Sequence, residues 1–299
     1  MNMVLRGVTL YTGDQRDLFV SGTRLVDAEP PAAQVVDARG LIALPGLVDP
    51  HTHLREPADD PAETIASGTA AAARGGYTAV AAMPNTTPAC NSPTEVRWLL
   101  NQTRAVGASA RVVPIGAVTL NRAGRELADL TGMAEAGVRL FSDDGAAVTT
   151  PDLLRAALLA VKGFEGAVAD HCQNPELAGA GAWNPNGDWP VEAETSIVAR
   201  DLEIAQETGG HIHLCHLSCA QSVEMVRQAK TQGVNVTAEV TPHHLLLTAD
   251  NLAGGNPAFK VNPPLREALD VEALRDGLAD GTIDMLGTDH APHRGADKA

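Results

Sequence analysis

The spacing of apolar and polar positions divides the chain into two stretches of different character. Up to about residue 46, short apolar runs at 3–9, 18–20 and 41–44 alternate with Gly, Asp and Pro, the punctuation of strands joined by tight turns. From residue 47 onward, apolar runs recur at 47–53, 78–83, 111–116, 138–141, 167–171, 211–216, 234–240 and 283–287, with Ala-rich amphipathic stretches between them. A short buried run followed by a helical crossover, repeated eight times, predicts a parallel sheet, because parallel neighbours are joined only by a long return across one face.

Helix boundaries carry their own signals. Ser92-Pro93-Thr94-Glu95 places Ser at the N-cap, Pro in the first turn and Glu where it closes a capping box. Asp60-Pro61-Ala62-Glu63 repeats that logic, and Thr150-Pro151 opens a further helix. Gly75-Gly76, Gly209-Gly210 and Gly233 stand where C-terminal stops belong. The expected fold is α/β: a (β/α)8 barrel of the TIM type over 47–299, preceded by a small β segment over 1–46. A doubly wound open sheet is the alternative architecture. Two long connections, 173–192 and 245–264, are rich in Gly, Asn and Pro and follow the fifth and seventh predicted strands. They fall at strand C-termini, where barrel enzymes build their sites.

Composition narrows the function. The 299 residues are 44% hydrophobic but only 3% aromatic, so a sizeable core must be built from Ala, Val, Leu and Ile. A net charge of −15 repels polyanions, which argues against nucleic acid and anionic membrane surfaces as partners. Cys90, Cys172, Cys215 and Cys219 form neither a zinc-ribbon spacing nor a dense disulfide framework, and read as reduced thiols in the cytoplasm. The N-terminal residues lack the apolar run and cleavage site of a signal peptide. No stretch approaches the roughly 18 apolar residues of a membrane span.

Candidate chemistry sits at the strand ends. In Asp49-Pro50-His51-Thr52-His53-Leu54-Arg55, alternation along a strand turns Asp49, His51, His53 and Arg55 to one face. A lone inward His is usually a satisfied core residue. Two of them flanked by Asp and Arg in an apolar strand are costly to bury without a metal or substrate. Other strands end in Phe141-Ser142-Asp143-Asp144, Asp170-His171, Cys215-His216 and Thr288-Asp289-His290. Each is weak alone, since Asp-Asp-Gly is usually a turn, but together they place His or Asp at one rim from five strands. The best ligand candidates are His51, His53, Asp144, His171, His216 and Asp289. Mixed nitrogen and oxygen donors suit zinc, with manganese or cobalt as alternatives. Six are too many for one tetrahedral ion that keeps a position for water, and fit two ions sharing a bridging carboxylate and hydroxide. His243 and His244 divide evenly between packing and support of the site. His211 and His213, early in their strand, read as structural. Met83-Pro84-Asn85-Thr86 and the loop from Lys260 to Arg266 are ordinary loops by composition.

Taken together, DPHTHLREP, GGYTAVAAMPNT, FSDDG, TAEVTPHHLLL, NPPLR and GTDHAPH resemble the bacterial dihydroorotases of the amidohydrolase superfamily, over nearly the whole chain. The resemblance implies a β/α barrel with a small β-sandwich assembled from both termini, including sandwich strands beyond Ala299. It implies reversible cyclisation of N-carbamoyl-L-aspartate to L-dihydroorotate in pyrimidine synthesis. By position, His51, His53 and Asp289 would hold one zinc ion, His171 and His216 a second, and Asp144 would bridge them. Asp289 would also shuttle the proton. His53, Arg55, Asn85, Asn262 and His293 would contact the substrate: Arg55, Asn85 and His293 at its carboxylate, Asn262 at the ring. Related hydantoinases and dihydropyrimidinases bridge their metals with a carbamylated Lys, whereas the fourth strand here has none. Arg55 agrees, because a cationic fork matches a substrate carboxylate that hydantoin rings lack. The alternatives are another cyclic-amide hydrolase, such as a dihydropyrimidinase or allantoinase, and a non-catalytic scaffold for aspartate transcarbamoylase. The scaffold should have lost metal ligands, and all six positions are filled. The family also leaves open a homodimer or a complex with aspartate transcarbamoylase.

Overall fold

The computed structural model describes residues 1–58, 62–179, 189–294 and 298. Two compact units emerge, Met1–Leu47 and Val48–Ala299.

In the first unit, β1 (Asn2–Leu10) pairs antiparallel with β2 (Gln15–Ser21), which pairs with β3 (Arg24–Val26). On its other edge β1 runs parallel to β4 (Gln34–Asp37) and β5 (Ile42–Ala43). The sequence pattern finds β1, β2 and β5 but not β3 or β4. Those two are short and mostly exposed, so they lack the apolar alternation that marks a half-buried strand.

The second unit repeats strand and helix. Its strands are β6 (Leu47–Thr52), β7 (Tyr77–Ala82), β8 (Arg111–Pro114), β9 (Leu140–Ser142), β10 (Ala167–Asp170), β11 (His211–Leu214), β12 (Val236–Val240) and β13 (Met285–Leu286). Each falls on one of the eight apolar runs. They form two sheets, β6-β7-β8 and β9-β10-β11-β12-β13, the latter joined in parallel throughout. Isolated parallel bridges link Gly116 to Phe141 and Thr52 to His290. The main helices are α1 (Ile65–Arg74), α2 (Pro93–Ala105), α3 (Leu130–Glu135), α4 (Pro151–Lys162), α5 (Pro175–Ala178), α6 (Glu192–Thr208), α7 (Ala220–Thr231), α8 (Pro242–Leu246) and α9 (Ala268–Asp280).

Helix starts follow the sequence with one correction. Ser92 caps α2 by accepting from Thr94 N, with Pro93 in the first turn. Glu95 does not close the box; its carboxylate accepts from Asn91 Nδ2 at 3.4 Å. The start expected at Asp60-Pro61 lies outside the described residues, and α1 is capped instead by Thr64, reciprocally with Ser67. Gly209 ends α6 at φ 63°, a left-handed conformation that glycine adopts without a Cβ clash.

Strands buried on both faces explain where the side chains go. Val168 packs into the large core with Leu158, Ile197 and Ile212, whereas its neighbour Ala169 joins a separate cluster with Met83, Ile115 and Cys215. Period-two alternation then sends Asp170 to the helix side and His171 to the side of that small cluster. Asp170 accordingly binds Val148 N at 2.9 Å and Arg200 at 3.0 Å, while His171 faces the candidate site.

Candidate active site

Asp144 stands among four imidazoles. His51 Nε2 lies 3.3 Å from Asp144 Oδ1 and 3.5 Å from Asp289 Oδ1. His53 Nε2 lies 3.0 Å from Asp289 Oδ1 and 3.4 Å from Asp144 Oδ2. His171 Nδ1 and His216 Nε2 approach Asp144 Oδ1 to 3.4 and 3.8 Å. The six residues named as ligand candidates are therefore brought together from the ends of five strands.

The opposite nitrogen of three rings is held by an oxygen acceptor. Glu239 Oε1 takes His51 Nδ1 at 2.5 Å, Asn85 Oδ1 takes His53 Nδ1 at 2.8 Å, and Gln173 Oε1 takes His171 Nε2 at 2.8 Å. Such partners fix the tautomer and turn the remaining lone pair towards Asp144, as around metal-binding histidines. Among the described residues, His51 Nε2, Asp144 Oδ1 and His216 Nδ1 are buried with no hydrogen-bond partner. An orphaned buried polar atom costs about 1–3 kcal/mol, a cost that a cation bound to His51 Nε2 and Asp144 Oδ1 would remove. His51, His53 and Asp289 form one group able to hold an ion, and His51, Asp144 and His216 another, the donor atoms of each within 4.8 Å. His51, Cys215 and Glu239 form a third such group.

Electrostatics point the same way. Burial alone would raise the Asp144 and Asp289 carboxyls, but the adjoining imidazoles hold Asp144 well below the usual range and Asp289 down to about 2. Burial opposes a charge on His51, yet Glu239, Asp144 and Asp289 push it well above an ordinary imidazole. The ring is thus surrounded by anionic charge that a divalent cation would balance.

Above this centre opens a cavity of about 430 Å³, a size typical of small-ligand sites. His53, Arg55, Asn85, Asp144, His171, His216, Asn262, Asp289 and His293 all line it; His51 lies fully buried outside its lining. Asn85 Nδ2 reaches Asp144 at 3.5 Å, and Asn262 Nδ2 reaches Gln173 Oε1 at 2.8 Å. Arg55 Nη2 donates to Pro292 O at 3.3 Å.

Strand alternation does not deliver all of these residues. β6 stops at Thr52 and β13 at Leu286, so Arg55 and Asp289 lie beyond strand ends. They reach the cavity through left-handed backbone, at φ 60° and 48°, and His216 does so at φ 33°. Non-glycine residues in this region cost roughly 1–3 kcal/mol each and collect at functional sites.

Several residues were not singled out from sequence. Glu239 is the main one. Its signal was available: a single charge inside the apolar run 234–240. A Cβ at Gly287 would lie 2.5 Å from Glu239 Oε2, so glycine there makes room for that carboxylate. His213, read as structural, stands 3.3 Å from Glu239 Oε2 and so extends the same chain. Gln173, Trp189 and Arg122 also go unmarked in sequence; Arg122 donates to the backbone carbonyl of Asp144 at 2.5 Å. His243 and His244 separate: His244 is buried between Thr241 and Pro263 O, whereas His243 lines the cavity.

Comparison with known proteins gives this geometry a family. Residues 40–222 match the model of the "Dihydro-orotase-like" family. The chain belongs to this family. A dihydroorotase of Leifsonia xyli subsp. xyli is 49% identical over 97% of this chain and 69% of its own length. One from Streptomyces coelicolor is 48% identical over 99% of this chain and 72% of its own. Among solved structures, an L-hydantoinase (dihydropyrimidinase) from Arthrobacter aurescens superposes with a TM-score of 0.82 at 24% identity, covering 100% of this chain and 71% of that one. A dihydropyrimidinase from Brevibacillus agri gives 0.81 at 23%, covering 99% and 70%. At such identity the likeness concerns the fold alone. As a dihydro-orotase-like protein, the chain is a metal-dependent cyclic amide hydrolase acting on a small molecule. No helix among the described residues is long and apolar enough to cross a membrane.

Proposed function

We propose that this chain is a dihydroorotase, interconverting N-carbamoyl-L-aspartate and L-dihydroorotate at a centre of two zinc ions. The observation that carries this reading is the Asp144 carboxylate set among His51, His53, His171 and His216, with His51 Nε2 and Asp144 Oδ1 buried and unpartnered. His51, His53 and Asp289 would hold one ion, His171 and His216 the other, with Asp144 shared between them. Bound there, the ions would lower the pKa of water and polarise the ring amide.

The chain's own residues supply the rest. The guanidinium of Arg55 offers a planar, two-point contact for the substrate carboxylate, with Asn85 and His293 on the same cavity wall. Asn262 offers its amide to the ring. Asp289, kept ionised, accepts the proton of the attacking water and returns it to the ring nitrogen as the amide bond breaks. Ring closure runs the same transfers backwards: Asp289, again ionised at the start, takes the proton from the carbamoyl nitrogen as the ring C–N bond forms and delivers it to the oxygen that departs as water.

Two further readings belong to this proposal. The bridges at Gly116–Phe141 and Thr52–His290 support closure of the eight strands into one barrel spanning 47–299, with 1–46 as a separate β segment. Buried, unpaired Cys90, Cys172, Cys215 and Cys219 support a reducing compartment, the cytoplasm.

The test is metal content and turnover measured on the same sample. Close to two zinc per chain, with dihydroorotate hydrolysed in preference to dihydrouracil, is expected. One ion per chain would overturn the binuclear centre, and preference for dihydrouracil would overturn the substrate assignment.

A further inference from the structure

The wall of the cavity beside His171 is held by a connected set of polar bonds that the reaction as described leaves unused. Trp189 is buried, 5% exposed, and packs on Ala178 and Ala193. Its indole Nε1 donates to Asn262 Oδ1 at 3.0 Å. An indole N–H can only donate, so its partner must be the amide oxygen. That settles the orientation of the Asn262 side chain, whose two ends are otherwise interchangeable in shape. The Nδ2 end is then obliged to face the cavity side, where it donates to Gln173 Oε1 at 2.8 Å and comes within 3.1 Å of His171 Nε2. Gln173 Oε1 in turn faces His171 Nε2, leaving Nδ1 of that ring towards Asp144.

Trp189 is itself fixed from behind. The Arg266 guanidinium lies over the indole, 4.7 Å from its ring centroid, and donates to Trp189 O at 2.6 Å. Arg266 also donates to Ser218 Oγ at 3.1 Å, and Ser218 is bonded through its N and Oγ to the buried carboxylate of Glu194. A chain of buried hydrogen bonds from α6 therefore ends on the amide that lines the substrate cavity. A loop amide without such support would sample both orientations, offering an oxygen where a hydrogen is needed.

We propose that Trp189 is a positioning residue that orients the Asn262 amide for the substrate, with Arg266 stacked behind it. This rests on the reading of Asn262 as a substrate contact. Trp189→Phe keeps the packed ring and the guanidinium stack but removes the donor that, among the described residues, fixes the amide oxygen.

The test is a double-mutant cycle of Trp189→Phe and Asn262→Ala on the zinc-loaded full chain, with dihydroorotate as substrate. Trp189→Phe is expected to raise KM roughly three- to tenfold, the worth of one neutral hydrogen bond, with kcat within about twofold and zinc content unchanged. In the Asn262→Ala background it should add nothing. Multiplication of the two effects would show that Trp189 acts only through packing and would overturn the proposal. So would an unchanged KM in Trp189→Phe beside a raised one in Asn262→Ala, or an unchanged KM in Asn262→Ala itself. A second readout does not depend on turnover. The indole proton resonance of Trp189, assigned by its loss in Trp189→Phe, should move upfield in Asn262→Ala; a stationary resonance would overturn the bond. Failure of the unmutated chain to turn over dihydroorotate would refute the proposed function, and the resonance would still decide whether Trp189 holds Asn262.

Discussion

Glu239→Gln is the substitution that most directly probes how the centre is held. Glu239 is 1% exposed, accepts from His51 Nδ1 at 2.5 Å and faces His213 Nε2 at 3.3 Å. Burial disfavours its charge, but His51 and His213 hold its carboxyl below the usual range, so it is an anion in the folded protein. Glutamine has the same shape and no charge. The amide oxygen can still accept from His51 Nδ1, so the ring should keep its place; what is lost is the charge that raises the basicity of His51 Nε2. Removing such a partner of a metal-binding imidazole typically weakens metal affinity 10–100-fold, or about 1.4–2.7 kcal/mol. The assay is competition of the metal-free protein with a chromophoric chelator for zinc, followed by turnover at saturating zinc. Weakened binding with activity largely recovered at high zinc is expected. Gly287→Ala attacks the same carboxylate from outside, since its Cβ would sit 2.5 Å from Glu239 Oε2 and 2.8 Å from its carboxyl carbon. It should reproduce part of the zinc defect while leaving every ligand in place. Zinc affinity within twofold of the unmutated protein in Glu239→Gln would refute the reasoning, because His51 would then need no anionic partner.

Other expectations follow from the same geometry. Arg55→Lys should lower kcat/KM for dihydroorotate roughly 10–100-fold, because an ammonium cannot make the planar contact; steady-state kinetics at near-normal values would remove Arg55 as the anchor. Asp289→Asn should lose at least roughly 10²-fold in hydrolysis while elemental analysis still finds zinc, and a full rate with both ions bound would route the proton elsewhere. His243 gives a pH signature: burial, reinforced by His216, lowers it from 6.5 to about 4. As pH falls, the unfolded chain therefore takes up this proton before the folded one does. The stability contributed by neutral His243 is complete above pH 6.5 and is lost between about 6.5 and 4, on the order of 3 kcal/mol in all. His243→Asn should flatten that part of the Tm–pH curve, and an unaltered curve would show that the ring titrates freely.

Apolar periodicity located the strands of the second unit, and polar residues at their ends pointed to the six side chains that the fold gathers at Asp144. Strands β6 to β13 each lie on an apolar run, and the central ones, such as β10, are buried on both faces, which is why a parallel strand there is written as continuous hydrophobic residues. His51 and His53 were legible for the complementary reason: polarity in such a run is too costly to be idle. β3 and β4 escaped because exposed short strands leave no apolar period. What tertiary structure alone decided is pairing across distance. Glu239 and His51 are 188 residues apart, and Trp189 and Asn262 are 73 apart. No local pattern records that such residues meet, since the contact is set by which strands lie side by side. Backbone conformation was equally hidden. Strand alternation and rim position point to Arg55, His216 and Asp289, yet these residues reach the cavity through left-handed backbone just past strand ends. That geometry is maintained by surrounding packing against the intrinsic preference of the residues themselves, so it appears only once the surroundings are in place.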